Sequence, residues 1–252
     1  RFRVTRDWLH NGNDVVASGN VTSRRSEAVN LYSSADFFMQ TFIDRLVQKG
    51  ITCGGYAFKE LPQGGDAKLM AAVETPVQKV VDQLMKESDN LNGQALLCRL
   101  GVQTTGKKYV SDKDGLEAVK SLIRRLGDDP ERYNLADGCG LSNYNYISPE
   151  LLVTFLKYAY SRTDLFQKLY KALPIGGVDG TLKNRMKRGT PSHRVVHAKT
   201  GSFTAINCLA GYLKAGNGHE IAFAVMNQNV LSAAGARAFQ DAVCDEVIIR
   251  TK

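Results

Sequence analysis

The first part of the chain alternates short apolar runs with polar breaks. Two such runs within residues 1–23 flank Asn11-Gly12, a pair that predicts a β-hairpin. Apolar residues then return every three or four positions, as in a helix that Ser33-Ser34 is suited to cap and Gly50 is suited to end. A polar, glycine-rich stretch follows. The pattern predicts a small first domain over residues 1–74.

A helical spacing of apolar residues dominates the middle of the chain. Thr75-Pro76 predicts the start of an amphipathic helix, with proline at its first position. This helix runs directly into Ser88-Asp89-Asn90, where a second helix begins, and Gly101 is predicted to end that second helix. Three further helices are predicted, from Ser111 to Leu126, from Ser148 to Tyr158 and over residues 163–172.

The spacing changes in the last quarter of the chain. Three short apolar-rich runs predict the strands of an antiparallel meander, over about 194–200, 205–213 and 219–227. A closing helix is predicted over about 232–249. Helices followed by three strands and one helix make residues 75–252 a predicted α+β domain.

Composition and charge exclude some classes of protein and leave others open. The 252 residues are 43% hydrophobic and 23% charged, which excludes a disordered chain. No run of eighteen apolar residues is present. The formal net charge of +8 favours an anionic partner, such as nucleic acid, an anionic surface or polymer, or a carboxylate substrate. Without a zinc-finger, RNP-like or recognition-helix pattern, nucleic acid is disfavoured. Five cysteines without a Cys-x-x-Cys pair favour neither a metal site nor a disulfide framework.

One candidate binding motif is Lys199-Thr200-Gly201, at the predicted end of the first meander strand. A lysine there offers a fixed cation, a threonine offers a hydroxyl, and a glycine lets a ligand lie against the backbone. Together they suit a carboxylate ligand. The alternative is a solvated lysine in front of a turn.

A second candidate motif, Ser-x-Asn, occurs at Ser18-Gly19-Asn20 and at Ser88-Asp89-Asn90. The first lies in the predicted hairpin, where Ser and Asn are ordinary turn residues. The second lies where one helix ends and another begins, a joint that can hold polar side chains toward a cleft. The alternative there is helix capping by Ser88 or Asn90.

Two further patterns are interpreted as structural. The glycine-rich stretch from Asp137 to Ser142 lacks the preceding strand and following lysine of a phosphate cradle, which favours a tight turn. His193 and His197 have a metal-like spacing only on a helix, and they flank a predicted strand. No metal and no cofactor are therefore expected.

In this order, the patterns resemble the low-molecular-mass class C penicillin-binding proteins. These are serine D-alanyl-D-alanine carboxypeptidases and endopeptidases that act on peptidoglycan. The resembling stretches are LMKESDNLNGQALLCRLG, DGCGLSNYNYISP, LPIGGVDGTLKNRM and AKTGS. The resemblance covers residues 75–230 well, and residues 1–60 loosely as the tail of an inserted accessory domain. It implies an α+β, serine β-lactamase-like fold with an antiparallel sheet and helices on both faces, truncated and preceded by part of that inserted domain.

The resemblance also implies roles for individual residues. The family uses the motifs SxxK, SxN and KTG, and the last two correspond to Ser88-Asp89-Asn90 and Lys199-Thr200-Gly201. Ser88 would relay a proton to the leaving amine and Asn90 would hold the substrate amide. Lys199 and Thr200 would bind the terminal carboxylate, and the backbone N–H of Ser202 would be one oxyanion donor. Cys139 stands where the family usually has Ser, in a stretch interpreted as a structural loop.

The motif SxxK is missing, because no serine of this chain is followed by lysine three positions later. In the family that segment precedes the inserted domain. Since residue 1 is Arg, the expectation is a fragment that lacks the nucleophile and its base, so that this chain alone is inactive. A naturally inactive relative is the alternative explanation.

The implied partners are a peptidoglycan peptide that ends in D-Ala-D-Ala and β-lactams as its mimics, in the periplasm or outside the cytoplasm of a bacterium. Two alternatives to the enzyme stay open. One is an inactive peptidoglycan-binding module with the same groove, and the other is a basic nucleic-acid-binding protein.

A last expectation concerns the sheet. Because the family's sheet has five strands and this chain supplies three, the apolar strand at 219–227 is expected to have an open edge. Self-association through this edge is predicted, with residues 1–23 as an alternative cover. The helix face of Val80 and Leu84 is expected to lack a packing partner as well.

Overall fold

The structure is a computed structural model that describes residues 2–27, 29–60, 68 and 70–251. The chain divides into two compact units, Arg1–Ala71 and Ala72–Lys252. None of the helices in these described ranges combines the length and the apolar character that a bilayer crossing requires.

The first unit consists of a hairpin and a helix, as the sequence predicts. Strands β1 (Arg3–Arg6) and β2 (Val15–Ser18) pair antiparallel with each other. Helix α1 (Ser34–Gln48) begins at Ser33, whose side chain accepts a hydrogen bond from the N–H of Asp36.

The helices of the second unit follow the predicted order. They are α2 (Val77–Glu87), α3 (Asn90–Thr105), α4 (Asp112–Arg125), α5 (Pro149–Tyr160), α6 (Thr163–Ala172) and α7 (Ala233–Arg250). Helix α2 begins one residue later than predicted, because Pro76 is its N-cap and Thr75 makes no capping hydrogen bond. Val80 and Leu84 of α2 are half-buried. The predicted capping box of Ser111 and Asp114 is present on α4.

The prediction that Gly101 ends α3 is wrong. The helix continues to Gly106, whose φ of 67° suits a glycine. Gly101 is instead buried against α4, where an added Cβ would lie 3.0 Å from the nitrogen of Gly115. The absence of side chains at these two glycines allows α3 and α4 to pack closely.

The second unit contains an antiparallel meander in the order β3-β4-β5. Its strands are β3 (Val196–Phe203), β4 (Ile206–Lys214) and β5 (Glu220–Asn227), within about three residues of their predicted bounds. Because side chains alternate between the two faces of a strand, neighbouring residues of β3 face opposite sides of the sheet.

Helices cover both faces of this sheet, as the resemblance implies. One face carries Ala198 and Leu209 into an apolar cluster with Cys244 of α7. The opposite face carries Tyr212, whose hydroxyl donates to the backbone oxygen of Leu156 in α5 at 2.7 Å. The sheet therefore separates a layer that contains α7 from a layer that contains α5 and α6.

Candidate active site

Ser88 lies in the two-residue joint between α2 and α3. Its φ of 58° and ψ of 49° place it in the left-handed region, which is uncommon for a residue other than glycine. The chain therefore turns sharply at this point, and Asp89 caps the next helix by accepting from the N–H of Asn92 at 3.0 Å. N-capping of α3 by the side chain of Ser88 or Asn90 is thus contradicted. Ser88 is the C-cap residue of α2 through its backbone, and its hydroxyl can serve another contact.

Lys199 makes that contact. Its Nζ donates to the Oγ of Ser88 at 2.7 Å, although the two residues are 111 positions apart in the sequence. The fold thus brings the SxN and KTG motifs within reach of one hydrogen bond, as expected if the two motifs belong to one site. A second hydrogen bond runs from Nζ to the backbone oxygen of Thr200 at 2.7 Å.

The position of Lys199 within its strand differs from the prediction. β3 does not end there but continues through Thr200 and Gly201 to Phe203, paired with β4 over its full length. Pairing fixes the backbone of the motif more firmly than a loop would. Lys199 is therefore not a solvated lysine in front of a turn.

Burial lowers the pKa of Lys199 below the ordinary value for lysine. No carboxylate of the described residues lies within ion-pair distance of Lys199. A desolvated ammonium without an anionic partner is poised to attract an anion or to share a proton with the serine hydroxyl.

An ion pair that sequence reasoning missed anchors the serine joint. Lys86 Nζ contacts the Oδ2 of Asp179 at 2.7 Å and donates to the backbone oxygen of Leu173 at 2.6 Å. Gly180 follows with φ 53°, and an added Cβ would lie 2.7 Å from the backbone oxygen of Lys86. The stretch LPIGGVDGTL carries no sequence signal of its own apart from the family resemblance, and it packs against the end of α2.

The remaining residues of the KTG motif face a different environment. Thr200 Oγ1 donates to Thr181 Oγ1 at 2.9 Å. An added Cβ at Gly201 would meet only the Cβ of Cys208, at an ordinary 3.6 Å. Internal packing therefore does not require glycine at this position, which leaves close approach of a ligand as a reason for it. Ser202 is exposed, and its Oγ donates to the Oδ1 of Asn207 at 3.3 Å.

Asn90 is the first residue of α3 and is exposed. Its side chain makes no hydrogen bond to the described residues. The structure places it two positions from Ser88, at the same helix joint, without a direct contact to the lysine.

The glycine-rich turn at Asp137 is structural, as expected. The carboxylate of Asp137 accepts from the backbone N–H groups of Gly140 and Ser142, both at 2.7 Å, and from Asn145 Nδ2 at 2.9 Å. Burial acts to raise the pKa of Asp137, but these hydrogen bonds outweigh it and the net pKa is lowered. An anion of the chain itself thus occupies the amides that a phosphate would need, and Gly138 packs against α3.

The two histidines of the metal-like spacing point to different segments. His193 Nδ1 lies 3.1 Å from the backbone oxygen of Met186. The ring of His197 stacks on Tyr170 at a centroid distance of 3.9 Å, and burial lowers the pKa of His197. Within the described ranges, no cluster of three or more metal-ligating side chains is found.

Comparison with known proteins identifies similar sequences. The sequence profile of the D-Ala-D-Ala carboxypeptidase 3 (S13) family matches residues 4–247. A D-alanyl-D-alanine carboxypeptidase DacB of Haemophilus influenzae is 32% identical over 193 residues, which are 75% of this chain and 40% of that protein. A D-alanyl-D-alanine carboxypeptidase of Actinomadura sp. is 32% identical over 214 residues, 80% of this chain and 38% of that protein. The chain thus spans about 40% of the length of these relatives.

Solved structures show a similar fold. The crystal structure of penicillin binding protein 4 from Haemophilus influenzae has a TM-score of 0.71 and 28% identity, over 86% of this chain and 49% of that one. A predatory endopeptidase of Bdellovibrio bacteriovorus, Bd0816, has a TM-score of 0.59 at 18% identity, over 90% of this chain and 58% of that one. The second similarity concerns the fold alone.

Proposed function

Because this chain belongs to the D-Ala-D-Ala carboxypeptidase 3 (S13) family, we propose that the whole protein is a serine-type D-alanyl-D-alanine carboxypeptidase acting on peptidoglycan stem peptides. The observation that supports this most is the 2.7 Å hydrogen bond between Lys199 and Ser88. Lys199 and Ser88 are 111 positions apart in the sequence, and only the fold brings them into contact. The lysine is desolvated, as proton-transfer chemistry requires.

The proposed reaction assigns a role to each residue of the site. A nucleophilic serine attacks the carbonyl of the D-Ala-D-Ala bond and gives its proton to a lysine base, forming a tetrahedral intermediate that becomes an acyl-enzyme when the C–N bond breaks and the D-alanine amine leaves. Neither group is identifiable in this chain, so both would come from another part of the whole protein. Ser88, hydrogen-bonded to Lys199, then passes a proton to the departing D-alanine amine. Water finally hydrolyses the ester and regenerates the serine.

The other proposed roles concern binding. Asn90 would hold the amide of the peptide at the start of α3. Thr200 and Lys199 would bind the terminal carboxylate, and Gly201 would let the peptide lie along β3. The backbone N–H of Ser202 would donate to the oxyanion, which forms beside the carbonyl carbon under attack. No metal or cofactor is part of this proposal.

The proposal extends to location and to the first unit. Peptidoglycan lies outside the cytoplasmic membrane, so we place the whole protein in the periplasm or elsewhere outside the cytoplasm. We propose that residues 1–74 are part of an accessory domain inserted into the catalytic domain, which continues over residues 75–252. The observed division between Ala71 and Ala72 lies close to that boundary.

A direct test uses intact-mass spectrometry after incubation with benzylpenicillin. This chain should show no covalent adduct, because no serine of the chain has a lysine three positions later. The whole protein should gain one penicilloyl group, since the β-lactam ring opens on the serine and no atom is lost. A one-to-one adduct on this chain, blocked by substitution of one of its serines, would show that the nucleophile is misassigned.

The same test distinguishes the carboxypeptidase from a second candidate function, an inactive peptidoglycan-binding module. That function is favoured by the missing SxxK motif alone. If the whole protein forms no adduct but retains affinity for peptidoglycan, the binding module is correct and the carboxypeptidase is not.

We further propose that this chain self-associates through the edge of β5. β5 is the last strand of the sheet, and no strand of the described residues pairs with its far side. Residues Ile221 to Val225 are apolar, with no charge to protect the edge. We expect the mass measured by light scattering to rise with concentration, and the outward N–H groups of β5 to become protected from hydrogen exchange. A constant monomer mass with fast-exchanging β5 amides contradicts this proposal.

A further inference from the structure

A short connecting segment, residues 173–182, lies between α6 and β3 in the chain and contacts both sides of the candidate site. On one side it contacts α2, after which Ser88 follows, and on the other side it contacts β3, which carries Lys199. The two elements are far apart in the sequence. A segment that is attached to both of them can therefore fix the distance between the serine and the lysine.

The connecting segment is attached to β3 by backbone hydrogen bonds. The N–H of Gly176 donates to the oxygen of Val196 at 2.9 Å, and the N–H of Ala198 donates to the oxygen of Pro174 at 3.0 Å. Ala198 is the residue directly before Lys199. The attachment therefore reaches the part of the strand from which the lysine side chain projects.

The connecting segment is attached to α2 by the side chain of Lys86. Its Nζ donates to the two carboxylate oxygens of Asp179, at 2.9 Å and 2.7 Å, and to the backbone oxygen of Leu173 at 2.6 Å. An ammonium group has three protons, so these acceptors use all of them. Asp179 is itself held in place, because its Oδ1 accepts from the N–H of Ile175 at 2.8 Å. The ion pair is thus part of a complete set of hydrogen bonds at the end of α2.

The backbone of Ser88 needs such an attachment. Its left-handed φ of 58° is unfavourable for a residue with a side chain, and a residue persists in this region only where its surroundings hold it there. Lys86 precedes Ser88 by two positions, and Gly180 of the connecting segment lies against the backbone oxygen of Lys86. The attachment is therefore made within one helical turn of the strained residue.

We propose that Lys86 and Asp179 are positioning residues of this site, and that their ion pair holds the hydroxyl of Ser88 against the ammonium of Lys199. Neither residue touches the reacting groups, and both act through the backbone of the joint between α2 and α3. This assignment rests on the proposed function for what the contact between Ser88 and Lys199 does. The positioning itself can be measured on this chain alone.

The test measures the pKa of Lys199 in the 252-residue chain by NMR titration of ¹³C-labelled lysine side chains, with Lys199→Arg to assign the signal. Two explanations predict opposite results for Asp179→Asn. If the ion pair positions Ser88, its loss lets water reach the ammonium, and the pKa of Lys199 rises toward the ordinary value for lysine. If Asp179 acts only as a nearby negative charge, its neutralisation lowers the pKa of Lys199. We expect the rise.

Three further variants complete the experiment. Lys86→Met should also raise the pKa of Lys199, whereas Lys86→Arg should restore part of the parent value because it keeps the cation. The matched control is Asp164→Asn, which removes the carboxylate of an exposed ion pair with Lys168 on α6 of the same unit. This control should leave the pKa of Lys199 unchanged. Thermal unfolding and ¹H–¹⁵N spectra of each variant establish that it is folded.

The whole protein offers a second readout. Asp179→Asn should slow its acylation by benzylpenicillin about 10- to 100-fold, because a small displacement of a proton-transfer group has a large effect on rate. Asp164→Asn should leave that rate within about twofold of the parent. If the whole protein is not acylated at all, the proposed function fails, while the titration of Lys199 still decides whether the ion pair positions Ser88.

Several outcomes overturn the positioning role. A pKa of Lys199 that falls or stays constant in folded Asp179→Asn would show that the carboxylate does not hold the joint. An equal rise in Asp164→Asn would indicate a general effect of net charge. Loss of the fold in both Asp179→Asn and Lys86→Met would make the ion pair a structural contact and reject its role in the site.

Discussion

Lys199→Ala is expected to slow acylation of the whole protein by a β-lactam roughly 30- to 900-fold, equivalent to about 2 to 4 kcal/mol in activation free energy. The variant removes the buried cation and leaves the Oγ of Ser88 without its 2.7 Å donor. The effect should be large because the lysine is desolvated, so that water cannot replace its interactions at full strength. The measurement is the second-order rate constant of adduct formation, followed by intact mass over time.

A matched control for this prediction is Lys183→Ala. Lys183 is an exposed lysine of the same unit and forms no ion pair with the described residues. Its removal changes the net charge equally but should leave the rate within about twofold of the parent. Thermal unfolding of both variants separates a loss of chemistry from a loss of folding. Equal rates for the two variants would reject the role assigned to Lys199.

Gly211→Ala is expected to lower the free energy of unfolding by about 2 to 3 kcal/mol. An added Cβ would lie 2.1 Å from the backbone oxygen of His197 and 2.6 Å from the Cα of Ala198, both in β3. Backbone atoms held by strand pairing cannot move away without breaking the ladder. The strand that carries Lys199 would have to shift. A fall in the melting temperature of roughly 4 to 12 °C should be visible by calorimetry.

Gly201→Ala provides the comparison, since Gly201 lies on the paired strand and neither glycine has a positive φ. The new methyl group would lie 3.6 Å from the Cβ of Cys208, which is an ordinary van der Waals contact. The free energy of unfolding should therefore change by less than about 1 kcal/mol. In the whole protein the same variant should still impair acylation, because the methyl group would project toward the peptide. Equal stability of the two variants would contradict the expected clash of the new Cβ at position 211 with β3.

Local signals predicted most elements of this fold. The Asn-Gly turn of the hairpin, the Ser33 cap and the capping box at Ser111 each involve residues within a few positions of one another. Such signals are visible in the sequence because the hydrogen bonds they describe are local. The alternating apolar runs of the meander are local in the same sense.

The sequence predictions were wrong where the structural role of a residue depends on a partner that is distant in the sequence. A glycine that ends a helix and a glycine that admits another helix look alike in the sequence, and only the approach of Gly115 shows that Gly101 is the second kind. Similarly, Ser88, Asp89 and Asn90 are all residue types that cap helices, and only the fold shows that Asp89 caps α3. The position of the KTG motif inside β3 depends on pairing with β4, which no window around Lys199 contains.

The candidate site was only partly predictable, because its residues are also distant from one another in the sequence. Ser88 and Lys199 were paired through a resemblance to a family, not through spacing, because 111 residues separate them. The contribution of Lys86 and Asp179 was missed, since a lysine on an amphipathic helix normally indicates a solvated face.

The alternation of side chains along β3 has a consequence for how such a protein can change over time. Lys199 and Thr200 are neighbours in the chain, yet the sheet assigns them to different layers of the molecule. Substitutions in α7 reach the threonine side, whereas substitutions at the joint of α2 and α3 reach the lysine side. Substitutions in these two places can therefore accumulate on opposite sides of one strand during evolution, each changing the surroundings of a different residue of the motif.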